Sequence, residues 1–175
     1  MKNMFMALLI CSISIGNLSA QEPTTKNSPE TAKMLDQHFA TAAAEAGITE
    51  VELGKLGEVK ATSARVKEFS KKMVSDHSKA NDELRNWAKQ NNITWPSLPA
   101  TGKNSHKMLK EKSDADFDKA FMKQMIEDHE RTIKLFEDEA RKGQNVEMRT
   151  WASHKLATLK RHLYEAQQIY KELNK

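Results

Sequence analysis

From Thr31 to Leu173 the apolar residues recur at steps of three and four, in four stretches separated by three interruptions. That period belongs to an α-helix with one buried face, and no stretch shows the apolar–polar alternation of a strand. The first stretch runs from Thr31 to Ala61 and carries Leu35, Phe39, Ala43, Leu53 and Leu56, with the small Ala42 and Ala46 between them. The second starts after Ser63, a natural N-cap, and carries Val66, Phe69, Met73, Leu84 and Trp87 as far as Asn91-Asn92. The third is capped by Ser113 or Asp114, buries Phe117, Phe121, Met125 and Phe136, and stops at Lys142-Gly143. The fourth, from Asn145 to Leu173, follows Met148, Ala152, Leu156, Leu159, Leu163, Ala166 and Ile169. Gly47 and Gly54 lie inside the first helix, where they mark close contact with a neighbouring helix rather than a break. Four amphipathic helices of about 28 residues, roughly 42 Å at 1.5 Å per residue, make a four-helix bundle.

The connections set the topology. Links of two or three residues turn the first and second helices, and the third and fourth, into two antiparallel hairpins. The segment from Asn92 to Ser113 is long enough to run the length of the bundle, and contains Pro96, Pro99 and Gly102. It therefore predicts a crossover that leaves the second and third helices parallel, with a short extra helix over Lys103–Leu109.

Residues 1–20 stand apart. Lys2, an apolar run from Met4 to Ile15 and the small-residue sequence Leu18-Ser19-Ala20 have the layout of a secretory signal peptide, too short for a committed membrane span. Bulky Leu9-Ile10 before Cys11 argue against a lipoprotein signal. The expected organisation is a signal peptide over 1–20, a flexible leader over 21–30 and a bundle domain over 31–175. Cleavage removes the one cysteine, leaving neither a disulfide nor a thiolate metal site. The expected location is the periplasm or outside the cell, because no transmembrane span or barrel pattern follows residue 20. Peripheral association with the outer membrane remains compatible. A formal charge of +4, without a basic block interleaved with aromatics, does not point to nucleic acid.

One phrase occurs twice, as Met73-Val74-Ser75-Asp76-His77 and Met125-Ile126-Glu127-Asp128-His129. On a helical wheel His77 and His129 fall about 40° from the centre of their stripes, and Asp76 and Asp128 about 60° away on the other flank. Glu50 lies within the first stripe, and His162 sits between Leu159 and Ala166 in the fourth. All four residues are near mid-helix, so Glu50, His77, His129 and His162 form a candidate metal set at one level, with Asp76 and Asp128 as supporting or alternative ligands. Nitrogen and oxygen donors without thiolate suit zinc or iron, and Met73 and Met125, each four residues before a His, would admit copper. The competing reading is a hydrogen-bonded core network, with Asp76 in surface ion pairs to Lys72 and Lys79, and Asp128 paired with Arg131 or bonded to Gln124. Phosphate-loop, Gly-x-Ser-x-Gly and His-Glu-x-x-His motifs are absent, so the chain reads more as a non-enzyme than as an enzyme and names no substrate.

The run Glu50–Leu56, then Val66-Lys67-Glu68-Phe69, the Met73–Asn81 segment, Phe117-Asp118, Met125–His129, Leu135-Phe136-Glu137 and Thr158–Leu163 together resemble domain of unknown function 4142. The resemblance covers residues 34 to 170. It implies an exported bacterial protein with a ferritin-like four-helix bundle, in a family often labelled outer-membrane and without an established activity. The segment from Phe121 to Ile133 also resembles a Met/His helix of small exported copper-binding bundles, domain of unknown function 305. Di-iron proteins use Glu-x-x-His, which this sequence lacks, and adjacent Asp-His residues diverge by about 100° and cannot replace it. Two functional classes follow: a metal-binding bundle, or a non-enzymatic envelope or stress protein without metal.

Overall fold

The computed structural model describes residues 28–175; the expected signal peptide and most of the leader lie outside them. Five helices follow in order: α1 (Pro29–Lys60), α2 (Ala64–Gln90), α3 (Ala100–Lys110), α4 (Asp114–Lys142) and α5 (Val146–Leu173). Among the described residues there is no strand. The four long helices are those read from the apolar period, and α3 is the short crossover helix, three residues longer at its start and one at its end. No described helix is long and apolar enough to cross a membrane.

Local chemistry sets the ends. Ser28 caps α1 by accepting from Thr31 N, with Pro29 in the first turn, where its missing N–H costs nothing. Ser113 accepts from Asp116 N and Asn145 from Met148 N. Ser63, at the start of α2, makes no side-chain cap. Its role passes to Asp118 of α4, whose buried carboxylate accepts from Thr62 N, Thr62 Oγ1 and Ser63 N, the last at 2.7 Å. Asp36 of α1 does the same at the other end of the bundle, accepting from Gln144 N and Asn145 N at the start of α5. Each hairpin's first helix thus caps the other hairpin's turn, which satisfies orphan helix-end donors and locks the hairpins together.

These contacts fix the directions. The starts of α2 and α4 share one end of the bundle, where Lys60 also meets Asp114 at 3.1 Å, so α2 and α4 are parallel. Residues 91–113 return along the bundle, with α3 laid against α1 and α4. The two copies of the Asp-His phrase therefore occupy unlike places, on the second helix of one hairpin and the first of the other. They do not mark corresponding helices of a duplicated hairpin.

The α1–α2 contact is close where the glycines predicted it. A methyl group at Gly47 would overlap the Asn81 carboxamide, and one at Gly54 would lie 3.1 Å from the Ser70 carbonyl oxygen. One expectation fails. Leu35 belongs to the apolar period but is 47% exposed.

The core is divided in two. One apolar cluster holds Leu53, Phe69, Met73, Phe121, Met125 and Ala166 with their neighbours. The other holds Phe39, Ala43, Leu84, Ile133, Phe136 and Leu159 with theirs. In every long helix the switch from one cluster to the other falls at a buried ionisable residue: Glu50 in α1, His77 in α2, His129 in α4 and His162 in α5.

Candidate metal centre

Each helix places its polar residue by the same register that buries its apolar ones. His77 and His129 follow Met73 and Met125 by one helical turn, so they inherit the inward face of those fully buried side chains. Glu50 stands three residues before Leu53, and His162 three after Leu159. All four are buried, His129 and His162 completely. The imidazole rings form a nearly equilateral triangle, with centroids 5.5 to 5.6 Å apart. One ring nitrogen from each of the three lies within 4.8 Å of the other two. Glu50 completes the layer, with Oε2 2.6 Å from His77 Nε2 and Oε1 3.4 Å from His129 Nδ1.

Hydrogen bonds fix two tautomers. His129 Nδ1 lies 2.8 Å from the Met125 carbonyl oxygen, which can only accept, so Nδ1 carries the proton. His162 Nε2 donates in the same way to Asp76 Oδ2 at 3.0 Å. The remaining nitrogens, His129 Nε2 and His162 Nδ1, are buried lone-pair donors without a partner, whereas His77 Nε2 faces the Glu50 carboxylate at 2.6 Å. An imidazole anchored through one nitrogen, with the other free and inward, is the arrangement that orients metal ligands.

Electrostatics separates the histidines. Burial would raise the Glu50 pKa, but His129, His77 and His162 outweigh it and hold the carboxyl at about 2. Burial opposes protonation of His77, yet the Glu50 carboxylate against its ring raises its pKa above 6.5. His129 is lowered by burial, against the pull of Glu50. His162 is lowered to about 4 by burial and by the other two histidines. Glu50 is thus ionised and His162 neutral at neutral pH, while the carboxylate favours the protonated form of His77 and burial the neutral form of His129.

The sequence-derived candidates divide accordingly. Glu50, His77, His129 and His162 converge. Asp76 turns away from the expected surface ion pairs, since Lys72 pairs with Glu165 and the Asp76 carboxylate instead fixes His162. Asp128 stays outside the triangle, bonded to Gln124 Nε2 and paired with Arg131 as the competing reading expected. Burial raises its pKa to about 6 despite the Gln124 hydrogen bond. Met73 and Met125 pack in the apolar cluster beside the layer.

Two cavities flank the layer. One of about 180 Å³ opens between α2 and α5 and reaches Glu50, His77 and His162. The other, of about 250 Å³, lies between α1, α3 and α4 and is lined by Glu45, Glu50 and Asp128. Sequence reading missed the side chains around the first mouth, Lys79, Trp151, Lys155 and Arg161 among them. Their signal was faint: they occupy helix flanks where cations and aromatics are ordinary.

Comparison with known proteins adds two findings. The family described as "Domain of unknown function (DUF4142)" matches residues 21–169. Among solved structures, CopM in the Cu(I)-bound form is similar, with a TM-score of 0.69 and 17% identity over 78% of this chain and 96% of that chain. CopM in the Cu(II)-bound form gives a TM-score of 0.67 at 16% identity, with the same coverage. At that identity the likeness is one of fold. A search of curated protein sequences finds no match.

Proposed function

The chain belongs to the DUF4142 family, whose description names no activity, and from the geometry of its polar layer we propose that it binds one transition-metal ion through His77, His129 and His162. The observation that carries this reading is a triad of buried imidazoles with ring nitrogens within 4.8 Å of one another, among which His129 Nε2 and His162 Nδ1 have no hydrogen-bond partner. Burying such groups unpaired costs free energy, and an ion at the centre of the triad satisfies them. A point equidistant from three atoms at the corners of a 4.8 Å triangle lies about 2.8 Å from each. Metal–imidazole bonds are about 2.0–2.1 Å, so the rings need to close in by about 0.7–0.8 Å at most.

Glu50 supplies the negative charge beside the ion. Asp76 supports the site by holding the His162 ring; Asp128 is not part of the ligand set. Neutral imidazole with carboxylate suits zinc, iron or copper. The fold likeness to a protein solved with Cu(I) and with Cu(II) makes copper the leading candidate. The four long helices and their crossover agree with a ferritin-like order, but the ligand set is not that of a di-iron enzyme. The chain acts after export, with residues 1–20 removed; N-terminal sequencing of the exported protein tests that step, and an intact Met1 overturns it.

A second reading, a core network without metal, draws support from the bonds already present at His129 and His162. It leaves the second nitrogen of each ring unexplained. Titration of purified protein with Cu(II) and Zn(II), with elemental analysis, separates the two. The expected result is one ion per chain, lost in the His77→Ala/His129→Ala double variant while the helical circular dichroism persists. No binding above background establishes the network reading instead.

A further inference from the structure

We propose that the groove between α2 and α5 binds a small anion that reaches the metal ion held by His77, His129 and His162 and occupies an open coordination position on it. The inference rests on the metal-binding reading above and extends it to a ligand.

Three observations carry it. The first is access. The groove holds a cavity of about 180 Å³ that extends from the surface to Glu50, His77 and His162. That is room for several water molecules, and so for a ligand the size of azide, acetate or a short carboxylic acid. Small side chains make the space: Ala43, Ala46, Gly47 and Ala80 line it, and α2 and α5 pack far less closely than the helices within either hairpin.

The second is charge. Lys79, Lys155 and Arg161 stand at the mouth. The three carboxylates along the same wall are already engaged. Glu83 accepts from Trp151 Nε1 at 2.7 Å and pairs with Lys155 at 2.6 Å. Asp76 holds His162 at 3.0 Å, and Glu50 lies 2.6 Å from His77. Among the described residues Lys79 and Arg161 have no acidic partner within ion-pair distance, and both are exposed at the rim.

The third is coordination. Three imidazoles fill three positions, and catalytic or ligand-exchanging metal sites characteristically keep a further one open. Neutral imidazoles leave a divalent ion with its full charge; with Glu50 beside it the centre keeps a net positive charge. An anion entering past Lys79 and Arg161 is attracted at the rim and again at the ion. The side chains that shape the groove, Trp151, Leu84 and Phe136, are apolar or aromatic, so a short carboxylate with a small apolar tail fits better than a hydrated inorganic polyanion.

The test uses the full-length protein loaded with Cu(II) and titrated with azide, whose charge-transfer band to Cu(II) reports direct coordination. The expected result is a saturable band, displaced by acetate. In Lys79→Ala/Arg161→Ala the azide Kd rises about tenfold, as expected for the loss of roughly 1.4 kcal/mol of attraction at two partly solvated cations, while Cu(II) affinity stays unchanged. Failure of Cu(II) to bind overturns the metal reading and this proposal with it. Cu(II) bound without an azide band overturns the anion site alone. An azide band with the same Kd in the double variant overturns the groove as its route.

Discussion

Acidification should loosen this bundle through His162, and the size of the effect follows from its burial. The ring is completely buried and its pKa falls to about 4 from 6.5. Between those values the unfolded chain binds a proton that the folded chain refuses, so stability declines as pH falls through the window. A gap of that width at 1.36 kcal/mol per unit is on the order of 3 kcal/mol. That is a large share of the 5–15 kcal/mol typical of a domain. His129, also lowered, has the same sign. Other groups oppose it. His77 contributes stability that is complete below 6.5 and lost as pH rises through its elevated pKa. Asp128, raised to about 6, and Glu139, raised to about 7, each by burial first, hold protons that the unfolded chain releases, so they favour the fold as pH falls. The bare pH slope therefore mixes signs, and the informative quantity is a difference. Urea unfolding of metal-free protein, followed by circular dichroism from pH 7 to 4, is compared with that of His162→Met, which fills similar space and does not titrate. Wild type should lose on the order of 3 kcal/mol more than the variant across the window. Parallel curves would refute the assignment of a buried, neutral His162.

Glu50→Gln removes the main charge that raises His77, leaving only Asp76 to oppose burial, so the His77 titration followed by NMR should move down; an unchanged value would show that Glu50 does not set it. Metal affinity should keep rising with pH above 6.5, since His77 must release its proton to bind, with net proton release on binding in calorimetry across buffers of different ionisation enthalpy. Asp118→Ala strands the Thr62 and Ser63 donors and should cost about 2 kcal/mol in urea unfolding, whereas a loss under about 0.5 kcal/mol would mean that water replaces the cap. Replacing Glu50, His77, His129 and His162 together by Leu should abolish metal binding and leave the metal-free bundle equally stable or more stable by about 1–4 kcal/mol, because a buried ion pair seldom outperforms apolar packing. A strongly destabilised quadruple variant would identify the layer as structural.

What the sequence disclosed and what it withheld have one cause. Helical period is a property of each helix alone, so the four long helices, their turns and the inward positions of Glu50, His77, His129 and His162 could all be read without the fold. Azimuth beyond that needs neighbours. Asp76 and Asp128 share a motif and an angle, yet one meets His162 on α5 while the other meets only Gln124 and Arg131 of its own helix. Leu35 obeys the period yet is left exposed, and Asp36 and Asp118 cap turns that are remote in sequence. The groove cations were illegible for the same reason, since only the loose α2–α5 contact makes a cavity of their flanks. A layer that interrupts two good apolar clusters at one level on four helices gains nothing for folding, because Leu at those positions would join the clusters into one core. The unpartnered ring nitrogens of His129 and His162 in that layer are accounted for when an ion binds there.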